Sequence, residues 1–199
     1  MLDEPVIIRL IRHGKTEANI GRKYIGSTDE SIIEQLKPIS FEQKNVYTSA
    51  LKRTQETAIQ YFPNAQIIPF QELNEIDFGN FEMKTYDELK SIELYRNWLS
   101  NPELVTPPNG ESFHQFQERV LKKVEQIVST KGEYVFVVHG GVIRLLLAQY
   151  AFPKQTFQQI HASHGEVYEL VWHTFENWKE GALCTSFSVE NIMEKRNIQ

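Results

Sequence analysis

Apolar positions along this chain fall into short continuous runs that alternate with segments of helical spacing. Val6-Ile7-Ile8-Arg9-Leu10-Ile11 predicts a buried strand, bounded by Pro5 before it and Gly14 after it. Asn45 to Thr48 predicts a second strand, and Ser49 is placed to cap a helix running from Ala50 to Tyr61. Ala65 to Pro69 reads as a short third strand, and Tyr86 to Leu99 as one irregular helix ending before Asn101-Pro102. Ser112 with Gln115 makes a capping box for a helix whose Phe113, Phe116, Val120, Val124 and Ile127 keep helical spacing until Lys131-Gly132 ends it. Tyr134 to Val138 is a continuous apolar strand, followed by His139-Gly140-Gly141 and a helix through Val142, Leu145, Leu146 and Tyr150. Glu166 to Trp172 and Cys184 to Val189 complete the strands.

Strands alternating with helices in this order predict an α/β fold, a three-layer sandwich of a mostly parallel sheet with helices on both faces. At 199 residues and 41% hydrophobic, with no Pro/Gly/Ser linker and no repeat, residues 1–199 suit a single domain. The acidic N-terminus reaches a strand at once, which does not read as a signal peptide. No apolar run approaches the roughly 20 residues that span a bilayer, so no membrane partner is expected. One cysteine, Cys184, excludes an internal disulfide and reads as a buried thiol. These features point to the cytoplasm. The net charge of −5, from 21 Lys+Arg against 26 Asp+Glu, disfavours nucleic acid as a partner. A small anionic substrate remains allowed, provided positive charge is concentrated in a pocket.

Two strand-to-helix turns carry histidine beside glycine, Arg12-His13-Gly14 and His139-Gly140-Gly141. In a parallel sheet both open at the carboxyl edge, where such sheets place their ligands. Arg53, in the first turn of the helix after Thr48-Ser49, comes to the same edge, where the helix N-terminus adds its own pull on an anion. Taken singly, each residue has a plainer reading: His139 as a satisfied core histidine, Arg53 as a helix-surface charge, Asn19 as a turn residue, Glu75 as a loop carboxylate. Together, two His and two Arg at one edge are a set for phosphoryl transfer. A zinc site would need three or four His, Cys or carboxylate ligands, and the spacing supplies no such set, so no metal or other cofactor is expected.

The motifs resemble those of the histidine phosphatase superfamily, the branch that holds phosphoglycerate mutase and small phosphatases. Leu10 to Asn19 matches its Arg-His-Gly-x-Thr-x-x-Asn signature, and Thr48 to Ala58 resembles Ser-Pro-Leu-x-Arg-x-x-x-Thr-Ala, with Ala50 where proline is usual. Leu73 to Met83 resembles Leu-x-Glu-x-x-Phe-Gly-x-Trp-Glu-Gly, with Phe81 for Trp and Met83 for the last Gly. Gly110-Glu111-Ser112 and Val138-His139-Gly140-Gly141 also fit. The resemblance implies a phosphoglycerate mutase-like fold, with His13 as the nucleophile that becomes phosphohistidine. Arg12, Arg53 and His139 would clamp the phosphoryl oxygens, with Asn19 as a neutral donor, and Glu75 would act as general acid and then base. Gly26, Gly140, His164 and Glu82 are carried over as substrate-binding positions, Glu82 with the alternative of orienting its loop.

Substrate choice is less marked. Ile76 follows Glu75, and the segment from Met83 to Pro107 is shorter than the insertion of the mutases, which argues for a phosphatase acting on a small phosphate ester. Ile76 to Phe81, Asn109 to Ser112 and Gly140 to Arg144 look most like the α-ribazole phosphatases of cobalamin assembly. A phosphoglycerate mutase, or a catalytically silent phosphate-binding module, stays open as the alternative. The family's helix between Thr28-Asp29 and Thr48-Ser49 is reduced here to a segment broken at Pro38, which leaves a sheet face for a partner subunit in a homodimer.

Overall fold

The first apolar run forms β1 (Val6–Arg12) in a computed structural model that describes residues 5–192; the acidic Asp3 and Glu4 lie outside them, as do residues 193–199. Along the chain follow α1 (Glu17–Ile20), β2 (Asn45–Ser49), α2 (Lys52–Tyr61), β3 (Gln66–Phe70), α3 (Tyr86–Leu89) and α4 (Glu93–Ser100). Then come α5 (Phe113–Ile127), β4 (Gly132–Val138), α6 (Gly140–Tyr150), β5 (Glu166–Trp172), α7 (Phe175–Lys179) and β6 (Ser186–Asn191). The six strands make one sheet in the order β3-β2-β4-β1-β5-β6. β1 to β4 are parallel, as expected, while β5 and β6 add an antiparallel edge.

Period-two alternation sends each strand's side chains to opposite faces. Tyr134, Phe136 and Val138 of β4 join Ile8 and Leu10 of β1 against α5 and α6, where Phe116, Val120 and Val124 repeat at helical spacing. Val135 and Val137 face the other way, against Ile11, Val46 and the α2 residues Ala58 and Tyr61. Each such side chain, fully removed from water, contributes about 1.5–3 kcal/mol. Phe116→Ala would cost about 3–5 kcal/mol for that reason.

Two expectations are corrected. The single helix over Tyr86 to Leu99 is two, because a Thr85–Glu88 capping box closes α3 at Leu89 and the chain turns before Glu93. The break lets Leu89, Tyr95 and Trp98 converge with Phe81 in a small separate core, although 89 and 95 are six apart and would not share one helix face. Segment 30–44 has no helix at all, yet the sheet face is not left open. Leu36, Ile39 and Phe41 pack onto it as extended chain, held to α2 by Ile32 N–H to Glu56 (2.9 Å) and Leu36 N–H to Gln60 (2.6 Å). The reason for expecting a partner subunit there is met within the chain.

The register builds the site. Arg12 pairs with Val138 and Thr48 with Val137, so Ser49 closes β2 one register position before His13 and His139 leave the neighbouring strands β1 and β4.

Candidate active site

His13 is buried, and its Nδ1 lies 2.7 Å from the carbonyl oxygen of Gly14. A carbonyl only accepts, so Nδ1 carries the hydrogen and Nε2 keeps its lone pair. Burial, with Arg53 and Arg12 close by, holds the His13 pKa well below that of an ordinary imidazole, which keeps this lone pair free in mild acid. The ring meets His139 edge-on at 5.2 Å and His164 at 5.6 Å. His164 donates from Nδ1 to the carbonyl of His13 (2.7 Å), and burial together with Arg12 lowers its pKa to about 4.

The two guanidiniums arrive as expected, and each is aimed by backbone carbonyls. Arg12 donates from Nη1 to Ala162 O at 2.7 Å. Its Nε is buried and has no hydrogen-bond partner among the described residues. Arg53 is fully buried and donates to Thr28 O and Gly26 O, both at 2.7 Å, and from Nε to His139 Nδ1 at 3.3 Å. Burial works against the charge on both guanidiniums, and Glu75 works for it.

Glu75 lies two residues past the 3-10 turn Gln71–Leu73 and is buried. One carboxylate oxygen accepts its neighbour's amide, Ile76 N–H, at 3.0 Å, and the other accepts Gly141 N–H at 2.7 Å, at the N-terminus of α6. A Cβ on Gly141 would fall 2.1 Å from Glu75 Oε1. A glycine there is therefore a condition for the carboxylate's position, although sequence reasoning singled out only Gly140. The signal was available in the doubled glycine after His139. Gly140 itself runs beside Arg12, whose Cζ a Cβ would approach to 3.3 Å.

Four positions read from the sequence have partners within the protein. Gly26 offers its N–H to Glu82 (3.0 Å) and its carbonyl to Arg53, so it holds the cation and turns no free donor to a substrate. Space dictates the glycine, since a Cβ would lie 2.0 Å from Ile76 O. Glu82 follows its loop-orienting alternative. It gathers the N–H groups of Gly26, Ser27 and Phe78 and the Thr28 hydroxyl (2.7 Å), tying two loops together. Asn19 accepts Thr16 N–H (3.1 Å) through its side-chain oxygen in the capping box of α1, which fixes the side chain and leaves its amide NH2 as the donor the sequence suggested. Both nitrogens of His139 face protein groups, Arg53 Nε and Ser49 Oγ, so its contact with a phosphoryl group would run through the cation it holds. Among the described residues no three His, Cys, Asp or Glu side chains gather to hold a metal ion.

The chain matches the family described as histidine phosphatase superfamily (branch 1) over residues 8–181. It is 35% identical over 163 residues to the adenosylcobalamin/alpha-ribazole phosphatase of Escherichia coli, covering 70% of this chain and 76% of that protein. It is 31% identical over 162 residues to a metal-independent phosphoserine phosphatase of Arabidopsis thaliana, covering 70% and 66%. The alpha-ribazole phosphatase of Shigella flexneri superposes with a TM-score of 0.71 at 26% identity, over 82% of this chain and 89% of that one.

Proposed function

The chain belongs to the histidine phosphatase superfamily, and from that premise we propose a phosphomonoesterase that works through phosphorylated His13, as a single domain in the cytoplasm. The observation that carries the reading is Arg12 Nε. A buried cationic donor without a partner is costly, and this guanidinium lies near enough to both the buried nucleophile and the held carboxylate to act on their charge. An anion with oxygens to share relieves that cost.

The chemistry follows. His13 Nε2 attacks phosphorus, the P–O ester bond breaks, and Glu75 gives its proton to the leaving alkoxide. Water then attacks the phosphohistidine while Glu75 takes its proton, and inorganic phosphate and free His13 are released. Arg12 and Arg53 stabilise the charge on the equatorial oxygens as it spreads, with donors fixed beforehand by carbonyls. His164 flanks the nucleophile and orients its backbone.

The substrate class we propose is a small sugar or nucleoside phosphate of the α-ribazole 5'-phosphate kind, as the name of the Escherichia coli relative suggests. The test is a panel of phosphate esters assayed for phosphate release with EDTA present. It holds α-ribazole phosphate, phosphoserine, glycerol phosphate and p-nitrophenyl phosphate. The expected outcome is turnover that EDTA does not suppress, with the highest kcat/KM on the ribazole ester. No release from any ester would overturn the activity, and a preference for phosphoserine would overturn the substrate.

A further inference from the structure

The Gly110-Glu111-Ser112 motif contributes no atom to the pocket described so far, and the helix it opens carries a buried-face arginine with an unusual set of partners. Ser112 caps α5 in a capping box with Gln115, which leaves Glu111 just ahead of the first turn and Arg119 on the second. Arg119 donates from Nε and Nη2 to the two oxygens of Glu111 at 2.6 and 2.7 Å, a two-pronged ion pair. The donors left over all go to one turn of backbone. Nη1 reaches Glu72 O and Asn74 O, both at 2.8 Å, and Nη2 reaches Glu75 O at 3.1 Å. Every N–H of the guanidinium is spent, and three of its acceptors are the carbonyls that lead into Glu75.

The same turn is held elsewhere. Asn74 accepts Ala50 N–H at 2.9 Å through its side chain, and Glu72 pairs with Lys123, one turn further along α5, at 3.0 Å. The backbone of Glu75 is thus fixed by Arg119 from behind, while its carboxylate is fixed in front by the amides of Ile76 and Gly141.

We propose that Arg119, oriented by Glu111, is the positioning residue for the general acid, setting where the Glu75 carboxyl stands relative to the leaving oxygen. This rests on the reading of Glu75 as the acid. Lysine cannot substitute, because a single ammonium has three donors around one atom and cannot span Glu111 and three carbonyls in a plane. A misplacement of about 1 Å is enough to cost about 10²-fold in such a step.

The experiment uses Arg119→Lys, Arg119→Ala and Glu111→Gln beside Glu75→Gln. It compares glycerol phosphate, whose alkoxide must be protonated, with p-nitrophenyl phosphate, whose leaving group departs largely unaided. First-turnover rates are read for both, so that slow hydrolysis of phosphohistidine does not mask the difference. Expected for Arg119→Lys is a fall of roughly 10- to 100-fold on glycerol phosphate with KM little changed, against less than about 3-fold in the nitrophenolate burst. Guanidinium chloride at millimolar concentration should partly restore Arg119→Ala on glycerol phosphate alone. Should Arg119→Ala fail to fold, Glu111→Gln and Arg119→Lys carry the comparison, because each keeps the side chain's volume.

Equal losses on both esters, with Glu75→Gln still discriminating between them, would reduce Arg119 to a structural clamp and overturn the inference. If Glu75→Gln does not discriminate, the reading of Glu75 falls and the role of Arg119 falls with it.

Discussion

Ser49 Oγ lies 2.8 Å from His139 Nε2, inside the protein, where neither group meets water. The direction of this bond follows from its surroundings. Arg53 can only donate, so its contact makes His139 Nδ1 the acceptor and leaves the hydrogen on Nε2. Ser49 then accepts from His139 and from Leu51 N–H (3.2 Å), and passes its own hydrogen to Thr54 Oγ1 at 2.8 Å. Thr54 donates in turn to Leu51 O at 2.9 Å. The hydroxyl expected to cap α2 is therefore spent on holding the second histidine, and α2 starts at Lys52, after Leu51, without a side-chain cap.

Ser49→Ala should accordingly destabilise the protein and slow it. The change strands the Nε2–H of His139 and the Leu51 amide, each worth about 1–3 kcal/mol when buried without a partner. With His139 free to rotate, Arg53 loses the alignment of its Nε. The unfolding free energy in urea and kcat on p-nitrophenyl phosphate should fall together, and the imidazole ¹⁵N shifts of His139 should lose the single-tautomer pattern. Wild-type values in both assays would refute the chain of donors.

His13→Ala should abolish turnover and leave the fold standing. The ring packs edge-on against two other imidazoles at the sheet's end, outside the aliphatic layers, so its loss removes chemistry more than packing. Wild-type protein mixed with ³²P-labelled ester and quenched should carry an acid-labile, base-stable label that the variant lacks. Normal turnover by the variant would reject the covalent step.

Stability should decline as the solution is acidified below about pH 6.5. Burial and neighbouring arginines depress the folded-state pKa of His13 and His139 well below 6.5, and His164 is lowered to about 4. Above 6.5 these groups are neutral folded and unfolded, so they do not affect the balance. Below it the unfolded chain takes up protons that the folded one refuses, and the equilibrium shifts toward unfolding. Urea midpoints measured from pH 8 to pH 5 should fall, and replacing His164 with Asn should flatten part of that slope. A midpoint that rises on acidification would contradict the assigned direction.

The strands and both histidine turns were legible because period and position coincide: a run such as Tyr134 to Val138 is apolar on both faces, and the residue after it must emerge at the sheet edge. Arg53 was legible for the same reason. Ser49 and Gly26 were misread because their partners are distant in sequence. A serine before a helix looks the same whether its hydroxyl meets its own backbone or a histidine 90 positions away. Gly26 carries no sign that Ile76 O and Glu82 close over it. Arg119 was invisible as a lone charge on an amphipathic helix, although its spacing from Glu111 across the cap was the clue. The break between α3 and α4 depends on a side-chain cap at Thr85 outweighing otherwise continuous helical spacing.

Gly141→Ala separates stability from chemistry within one residue. Its Cβ would fall 2.1 Å from Glu75 Oε1 and 2.9 Å from Cδ, so the carboxyl has to swing away and give up the Gly141 amide. The backbone of α6 is unaffected, and alanine inside a helix is favoured over glycine by about 0.5–1 kcal/mol. The part-buried Gly141 amide left without its acceptor works the other way by about 1–3 kcal/mol. Net stability should therefore drop by no more than about 2.5 kcal/mol. Turnover of an alkyl phosphate should fall by about 10²–10⁴-fold, the full worth of a displaced general acid. Gly140→Ala is the control, since its Cβ only crowds Arg12 at 3.3 Å and leaves the carboxyl alone. It should weaken substrate binding more than the proton transfer, raising KM on both ester types alike. If Gly141→Ala keeps wild-type rates on glycerol phosphate while folding normally, the carboxyl of Glu75 is not where the acid must stand, and Asp77, whose Oδ1 accepts Gly79 N–H at 2.8 Å on the same loop, becomes the next residue to replace.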